Sequence, residues 1–280
     1  MRNIFENAVS DLAIERRRAD LSLEGIDYRV DPCSVGRWER LRIYSEEGAK
    51  SIGRPMGLYD TLSTKRMDCL DPAEIEDAKD EVASELCRMF ECTKTYPDKL
   101  LVVGLGNSHL TPDAVGPLAA AGVEATMHLY DADKKAFYML ECSAISVLIP
   151  RVPSESGLDT ARTVKSLTKE IKPDAVIAID ALAARAPERL GRTVQISSTG
   201  IFAGSGLGLG GSAIDEESVG CPVFAIGVPT VINAAYLSQG KEGSDTHSDM
   251  FVSPKEINII VENAAKIISG GINQAFGVAF

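Results

Sequence analysis

The feature that most constrains the fold is the alternation of short apolar runs with segments of helical periodicity. Apolar runs occur at 100–107, 142–149 and 175–179. A continuous apolar run of this length is typical of a strand buried on both faces. Between the last two runs, residues 159–171 carry apolar side chains at helical spacing. The order strand, helix, strand requires a crossover connection, so these strands are predicted to be parallel.

Two helices are predicted outside this core. The first begins at the N-cap Asp71 and ends before Pro97, because an acidic cap followed by proline is typical of a helix start. The last is capped by residues 253–256 and is predicted to stop at Gly270 and Gly271, since paired glycines usually end a helix.

The remaining segments complete the predicted architecture. Strands are expected at 194–197 and 223–226, the second followed by a helix beginning near Thr230. Residues 1–70 show weak periodicity and several breakers, which predicts an extended arm or small irregular strands. Together these features indicate the α/β class, as a single domain with a mostly parallel or mixed sheet covered by helices.

Charge and cysteine usage exclude several classes of protein. The chain has 280 residues and a formal net charge of −11, and such a surface repels nucleic acid and anionic membranes. We therefore expect neither a direct nucleic-acid partner nor a membrane partner. The 6 cysteines form no Cys-x-x-Cys pair, and acidic residues interrupt the N-terminus, so we predict a reduced, cytoplasmic protein without a signal peptide.

The carboxyl ends of the predicted strands are the expected place for a site, because ligands of open α/β sheets bind there. Three loops qualify, at 104–117, 180–185 and 227–230. Asp180 directly follows a buried apolar strand, where desolvation raises the pKa of a carboxyl. Alternatively, Asp180 only caps a following helix or pairs with Arg185.

Asp113 is the second acidic residue in these loops. It follows Thr111 and Pro112 at a predicted helix start, where stabilising the helix dipole is its alternative role. If the two loops meet, Asp113 and Asp180 share a crevice and cannot both ionise cheaply. Such a pair can activate water and protonate a leaving amine without a metal.

Other chemistries have thinner support in the sequence. The glycine-rich stretch 200–211 could cradle a phosphate, but it lacks a Walker lysine, and a turning loop is the favoured interpretation. His109, His128 and His247 lack metal-ligand spacing, so we predict no metal and no cofactor. His109 lies near Asp113 in the first loop, although an ordinary loop histidine is the favoured interpretation.

The loops together resemble a known family. The motifs are Gly104-Leu105-Gly106-Asn107, then residues 111–117, 172–185, 195–201 and 225–231. In this order they are similar to the germination proteases, which are spore endopeptidases. The resemblance runs from Leu101 to Val231 and resumes at 252–256.

This resemblance implies an atypical aspartic endopeptidase that degrades small acid-soluble spore proteins during germination. It also implies a fold similar to that of the hydrogenase maturation peptidases. The family's two essential aspartates fall on Asp113 and Asp180, and we expect Asn107, His109 and Arg185 to support them. Members are homotetrameric zymogens, so the resemblance implies a homo-oligomer, with the spore core as its location.

The N-terminus carries a candidate processing site. Residues 10–15 are similar to the family's site, in which an acidic residue precedes a bulky apolar one. We therefore predict cleavage between Asp11 and Leu12, which makes residues 1–11 a candidate propeptide and residues 12–280 the peptidase domain.

Two other functions remain open at this point. The Gly-x-Gly-Asn pattern followed by Asp and Gly also resembles nickel-dependent hydrogenase maturation peptidases. A non-catalytic module that binds a nucleotide or phosphate through the 200–211 loop is the second alternative.

Overall fold

The computed structural model describes residues 10–16, 24–202, 213–237 and 250–277. Within these ranges, nine strands form one mixed sheet and two short strands form a separate pair. The strands are β1 (Ile26–Cys33), β2 (Gly36–Ile43), β3 (Gly57–Thr64), β4 (Lys99–Gly104), β5 (Ala144–Leu148), β6 (Ala175–Ala184), β7 (Thr193–Ser197), β8 (Ile201–Phe202), β9 (Ala213–Ile214), β10 (Val223–Asn233) and β11 (Phe251–Val252).

The large sheet has a parallel half and an antiparallel half. Its order is β1-β2-β3-β7-β10-β6-β4-β5, with β11 paired to β10. Strands β10, β6, β4 and β5 run parallel, whereas β1, β2, β3 and β7 join by antiparallel pairing. The predicted parallel direction of 142–149 and 175–179 is confirmed, with β4 inserted between these two strands. The mixed α/β class is confirmed as well.

Helices cover both faces of the sheet. They are α1 (Glu46–Ile52), α2 (Pro72–Thr93), α3 (Val115–Ala121), α4 (Met127–Ala132), α5 (Lys134–Phe137), α6 (Pro153–Ser156), α7 (Thr160–Ile171), α8 (Glu216–Val219), α9 (Ala234–Leu237) and α10 (Ile257–Ala275). The main core packs α2, α3 and α10 on one face, and α7 packs on the other. Among the helices of the described residues, none is long and apolar enough to cross a bilayer.

Two predicted helix starts are confirmed by their caps. The Asp71 carboxylate accepts from the Glu74 N–H at 2.9 Å, and the Glu74 carboxylate accepts from the Asp71 N–H at 3.1 Å. At α7, the Asp159 carboxylate accepts from the Arg162 N–H at 2.8 Å. Each cap satisfies an N–H that the helix itself leaves unpaired.

The expectation of an arm or irregular strands before residue 70 is wrong. Strands β1, β2 and β3 are each eight residues long and extend the sheet as an antiparallel meander. Their apolar alternation is masked by charges that find partners in the fold. Arg40, for example, bridges Asp31 of β1 and Glu85 of α2, so a residue that looks solvent-facing in the sequence lies against a helix.

The predicted ends of two strands are also wrong. Strand β6 continues through Asp180 to Ala184, and β10 continues through 227–230 to Asn233 before the short helix α9. The two strands support each other beyond the end of β4, where Ile232 pairs with Ala184. Asp180 therefore lies inside a strand and does not cap a helix.

The C-terminal helix passes through the glycines predicted to stop it, and its N-cap Glu256 makes no side-chain capping bond. A Cβ on Gly271 would lie 2.5 Å from the Val82 side chain, and one on Gly270 would lie 2.5 Å from Lys79. The glycines thus permit close packing of α10 on α2, and this packing keeps the helix intact.

A buried carboxylate pair joins the meander to α2. Asp60 of β3 is 1% exposed and accepts a hydrogen bond from Arg88, which also pairs with Glu85. Burial, together with the charge of Glu85, raises the pKa of Asp60 to about 7. Because the pKa of an aspartate in the unfolded chain is about 3.9, the folded state keeps this carboxyl protonated up to a higher pH than the unfolded state does.

We predict that this group makes folding stability fall as the pH rises. The stabilisation is complete below the unfolded pKa and is lost up to pH 7, at a slope of up to about 1.4 kcal/mol per pH unit. The free energy of unfolding of wild type minus that of Asp60→Asn should therefore fall between pH 5 and 7. Urea titrations at several pH values measure this difference. The exposed Asp77→Asn is the control, and a flat or rising difference for Asp60→Asn would contradict the prediction.

Candidate active site

The end of β4 is joined closely to β6. The Leu105 N–H donates to the Ile179 carbonyl oxygen at 2.8 Å. Gly116, in the first turn of α3, lies against both residues: a Cβ there would be 2.1 Å from the Leu105 oxygen and 2.4 Å from the Ile179 oxygen. The loop after β4 is therefore held beside the residue that precedes Asp180.

Asp113 lies in this loop, in a short 3₁₀ turn before α3. Its carboxylate accepts from the Asn107 N–H at 2.8 Å. Gly106 has a positive φ of 112° and sits close to the Asp113 backbone, a conformation that favours glycine. Burial raises the pKa of Asp113 and outweighs the hydrogen bond from Asn107.

Asp180 lies on β6 and is 5% exposed. Its Oδ1 accepts from the Ala181 N–H at 2.8 Å. Because β4 ends at Gly104, this N–H lies just past the last residue of β6 that pairs with β4. Asp180 and the Asp113 loop thus lie at the same edge of the sheet, as the strand-end rule predicts.

A row of buried polar residues crosses the sheet at Asp180. Asp180 pairs with Gly227 of β10, Gly227 with Gln195 of β7, and Gln195 with Thr61 of β3. Paired residues in a sheet project to the same face. Since glycine has no side chain, Asp180 and Gln195 face each other across a gap of two strand spacings, about 10 Å between Cα atoms.

The N-terminal segment, residues 10–16, lies on this face. The Asp11 N–H donates to the Ala183 carbonyl oxygen at 3.0 Å, and the Ala183 N–H donates to the Asp11 carboxylate at 2.9 Å. Leu12 is fully buried and packs with Leu182 and Ala184. Asp11 also lines a small cavity together with Gly227, so the Asp11–Leu12 peptide bond lies beside the polar row.

Gln195 contacts the main chain on both sides of this bond. Its Nε2 donates to the Asp11 carbonyl oxygen at 3.3 Å, and its Oε1 accepts from the Ala13 N–H at 2.8 Å. Gln195 is 8% exposed. One carboxamide therefore uses a donor and an acceptor to hold the backbone around the predicted cleavage site.

Glu15 fixes the far end of the segment. Its carboxylate accepts from the N–H groups of Arg185 at 2.7 Å and Ala186 at 2.9 Å, and it also accepts from the Ser10 hydroxyl. Arg54 donates to the Ser10 carbonyl oxygen at 3.0 Å. Hydrogen bonds to a carboxylate are stronger than neutral ones, so the segment is anchored before and after the Asp11–Leu12 bond.

The other predicted supporting residues lie further out. The exposed His109 contributes its backbone N–H, which donates to the Asn107 Oδ1 at 2.8 Å. The guanidinium of Arg185 lies over the Tyr236 ring at 5.4 Å. Residues 203–212 of the glycine-rich loop, residues 1–9 and His247 lie outside the described residues. In the described part of the chain, no three His, Cys, Asp or Glu side chains cluster as metal ligands.

Sequence reasoning missed three residues that hold the segment, namely Arg54, Gln195 and Glu15. Gln195 had a usable signal, since it is a large polar residue between the apolar Val194 and Ile196 of a predicted strand. Arg54 and Glu15 had none, because a charged residue in an irregular segment is usually solvated. Their partners lie more than forty positions away for Arg54 and about 170 for Glu15.

The site contains the parts that peptide hydrolysis needs. It has two carboxyl groups at one sheet edge, one of them with a raised pKa, and a buried amide donor beside a peptide carbonyl. Carboxyl pairs serve as acid and base, and a preorganised donor stabilises negative charge that develops on oxygen.

Comparisons with known proteins identify the family to which the chain is similar. The family model described as "Germination protease" matches residues 10–241. A germination protease of Clostridium perfringens is 33% identical, covering 96% of this chain and 95% of its own. One from Caldanaerobacter subterraneus subsp. tengcongensis is 34% identical, covering 95% and 93%.

A solved structure, a nickel–iron hydrogenase maturation protease from Thermococcus kodakarensis KOD1, matches 66% of this chain and 96% of its own. The match has 15% identity and a TM-score of 0.31. The family model spans the polar row, the Asp113 loop and the N-terminal segment. This chain therefore belongs to the germination protease family, and it is an endopeptidase.

Proposed function

We propose that the chain degrades small acid-soluble spore proteins during germination, using Asp113 and Asp180 to activate water. The observation that carries this proposal is the arrangement at one sheet edge. The loop of Asp113 is hydrogen-bonded beside Asp180, and the Asp11–Leu12 peptide bond lies on the face that bears Asp180.

The reaction divides between the two carboxyl groups. One takes a proton from the attacking water, and the other gives a proton to the leaving amine. The raised pKa of Asp113 suits it to the part of the acid. Asp180 then serves as the base, and the proposal needs no metal ion.

We further propose that the chain is a homotetrameric zymogen of the spore core that removes residues 1–11 by itself. Burial of the target bond supports self-processing, because Asp11 is 5% and Leu12 is 0% exposed. A second protease would have to unfold the segment to reach this bond. Asp180 of the same molecule lies on the face of the sheet that carries the target bond.

The test combines both cleavages. Incubated at mildly acidic pH, the full chain should lose residues 1–11 and acquire Leu12 as its new N-terminus, as read by mass spectrometry. The matured protein should then cut a small acid-soluble spore-protein extract into discrete fragments. We expect both activities to survive chelation with EDTA, since the proposed site uses carboxyl groups alone.

Four outcomes would contradict parts of the proposal. A different new N-terminus would refute the processing site, and an uncut extract would refute the substrate class. Loss of both cleavages on chelation, with recovery on adding nickel, would favour a metal-dependent peptidase. A gel-filtration mass of the monomer would remove the tetramer from the proposal.

A further inference from the structure

Gln195 holds the peptide bond that the chain is proposed to cut, and this contact gives the residue a part in the reaction. Only one orientation of its carboxamide fits both partners. The Asp11 carbonyl oxygen requires a donor, and the Ala13 N–H requires an acceptor. The side chain thus contacts the Asp11 carbonyl on one side of the Asp11–Leu12 bond and the Ala13 N–H on the other side.

The lengths of the two bonds differ. The bond to the Ala13 N–H is short at 2.8 Å, whereas the bond from Nε2 to the Asp11 oxygen is 3.3 Å. A donor aimed at an oxyanion lies closest to the position that the oxygen takes in the transition state, and such a bond is often long in the ground state. The short bond anchors the carboxamide, and the long one can tighten as charge develops.

The position of Gln195 in the sheet supports the same role. It lies in the row of Asp180, separated from it by Gly227. A Cβ on Gly227 would lie 2.5 Å from the Leu182 side chain, so Leu182 of β6 covers Gly227 and no side chain of β10 lies between Asp180 and Gln195. A peptide carbonyl held by Gln195 therefore lies above the strand that adjoins Asp180.

We infer that Gln195 binds the scissile peptide and donates from Nε2 to its carbonyl oxygen, both in self-processing and in the cleavage of substrate. The inference rests on the proposed function. Water oxygen forms a bond to the carbonyl carbon while one carboxylate takes its proton. Negative charge moves to the carbonyl oxygen beside Nε2, then the C–N bond breaks and the other carboxyl protonates the amine.

The same contact defines how substrate binds. Once residues 1–11 leave, the carboxamide of Gln195 and the N–H and carbonyl of Ala183 lose their partners on Asp11. A substrate strand can then take the same bonds, with an acidic side chain on the Ala183 N–H and the carbonyl oxygen of that residue on Nε2 of Gln195. This mode combines β-strand addition with recognition of one side chain.

The test compares two substitutions of similar size, of which only one can regain a donor on acidification. Gln195→Glu keeps the size and the acceptor but loses the donor while the carboxyl is ionised. Gln195→Met keeps the size and loses both. Gln274→Ala, on the exposed side of α10, is the control. Rates of self-processing and of peptide cleavage are measured from pH 5 to 7.5 and divided by the folded fraction seen in thermal melts.

At pH 7.5 we expect both Gln195 variants to lose on the order of 10² to 10³ in kcat, with a smaller change in KM. On acidification Gln195→Glu should recover rate relative to wild type, because a protonated carboxyl donates again. Gln195→Met should not recover. A merely structural role for Gln195 predicts the same pH profile for both variants.

The outcomes separate this inference from the proposed function. Wild-type rates in both variants, equal pH profiles, or a change confined to KM would overturn the donor role while leaving the two-aspartate site intact. If Asp180→Asn still cleaves and Gln195→Glu recovers rate on acidification, the two-aspartate mechanism is overturned. The donor role of Gln195 is then retained. A wild-type chain that does not cleave would overturn both.

Discussion

Replacing either aspartate of the candidate site by asparagine should abolish cleavage while leaving the fold intact. In Asp180→Asn the amide oxygen can still accept from the Ala181 N–H, and in Asp113→Asn it can still accept from the Asn107 N–H. Neither amide can take or give a proton in the reaction. We expect the rates of self-processing and of substrate cleavage each to fall on the order of 10⁴-fold.

The control for this pair is Asp131→Asn, an exposed carboxylate on α4. It should process and cleave at the wild-type rate. Melting temperatures within a few degrees of wild type would show that the two site variants are folded. A folded Asp113→Asn or Asp180→Asn that retains more than a tenth of the activity would end the two-carboxyl mechanism.

Gly116→Ala should have the largest effect on stability. The added Cβ would lie 2.1 Å from the Leu105 oxygen, 2.4 Å from the Ile179 oxygen and 2.7 Å from the Leu105 nitrogen. All three are main-chain atoms at the ends of β4 and β6, so either α3 or a strand has to move. We expect a loss of at least about 3 kcal/mol in the free energy of unfolding.

Gly270→Ala provides the matched control. The atoms near its added Cβ belong to the flexible side chain of Lys79, which can turn away, and alanine is favoured over glycine within a helix. Its stability in urea should equal or exceed that of wild type. If Gly116→Ala is as stable as Gly270→Ala, the close contact of α3 with the two strands does not determine stability.

Activity gives a second measurement for Gly116→Ala. The contact of Gly116 fixes Leu105 and Ile179, and these residues adjoin the Asp113 loop and Asp180. Even in the fraction that folds, a shift of about 1 Å at this point should lower kcat by about 10²-fold. A folded Gly116→Ala with full activity would show that the ends of β4 and β6 can shift without affecting catalysis.

The parallel half of the fold and both candidate carboxylates could be predicted from the sequence for a physical reason. Strands buried on both faces must be apolar throughout, so β4 and β6 are recognisable, and a carboxylate at such a strand is conspicuous. Asp180 was identified although the end of its strand was misplaced. The strand continues because β10 pairs with it up to Ala184, and no local pattern encodes that pairing.

The meander of β1, β2 and β3 could not be predicted because its polar residues are satisfied over long distances, whereas the strand at 194–197 was predicted and is present as β7. Glu39 is 4% exposed in β2 and accepts from Arg189 and Ser63, so an acidic residue occupies a buried position. Gln195 was part of a motif but had no assigned role. Its role depends on residues 11 and 13, which reach it only in the folded chain.

The position of the N-terminal segment has a consequence for the order of folding. Asp11 and Glu15 bind residues of β6 and its following turn, which lie about 170 positions later. The Ala13 N–H binds Gln195, which lies 182 positions later in the sequence. Contacts of such high sequence separation form late because loop closure must precede them. Residues 10–16 are therefore among the last parts of the chain to be placed, and a nascent chain cannot present its own cleavage site before its sheet is complete.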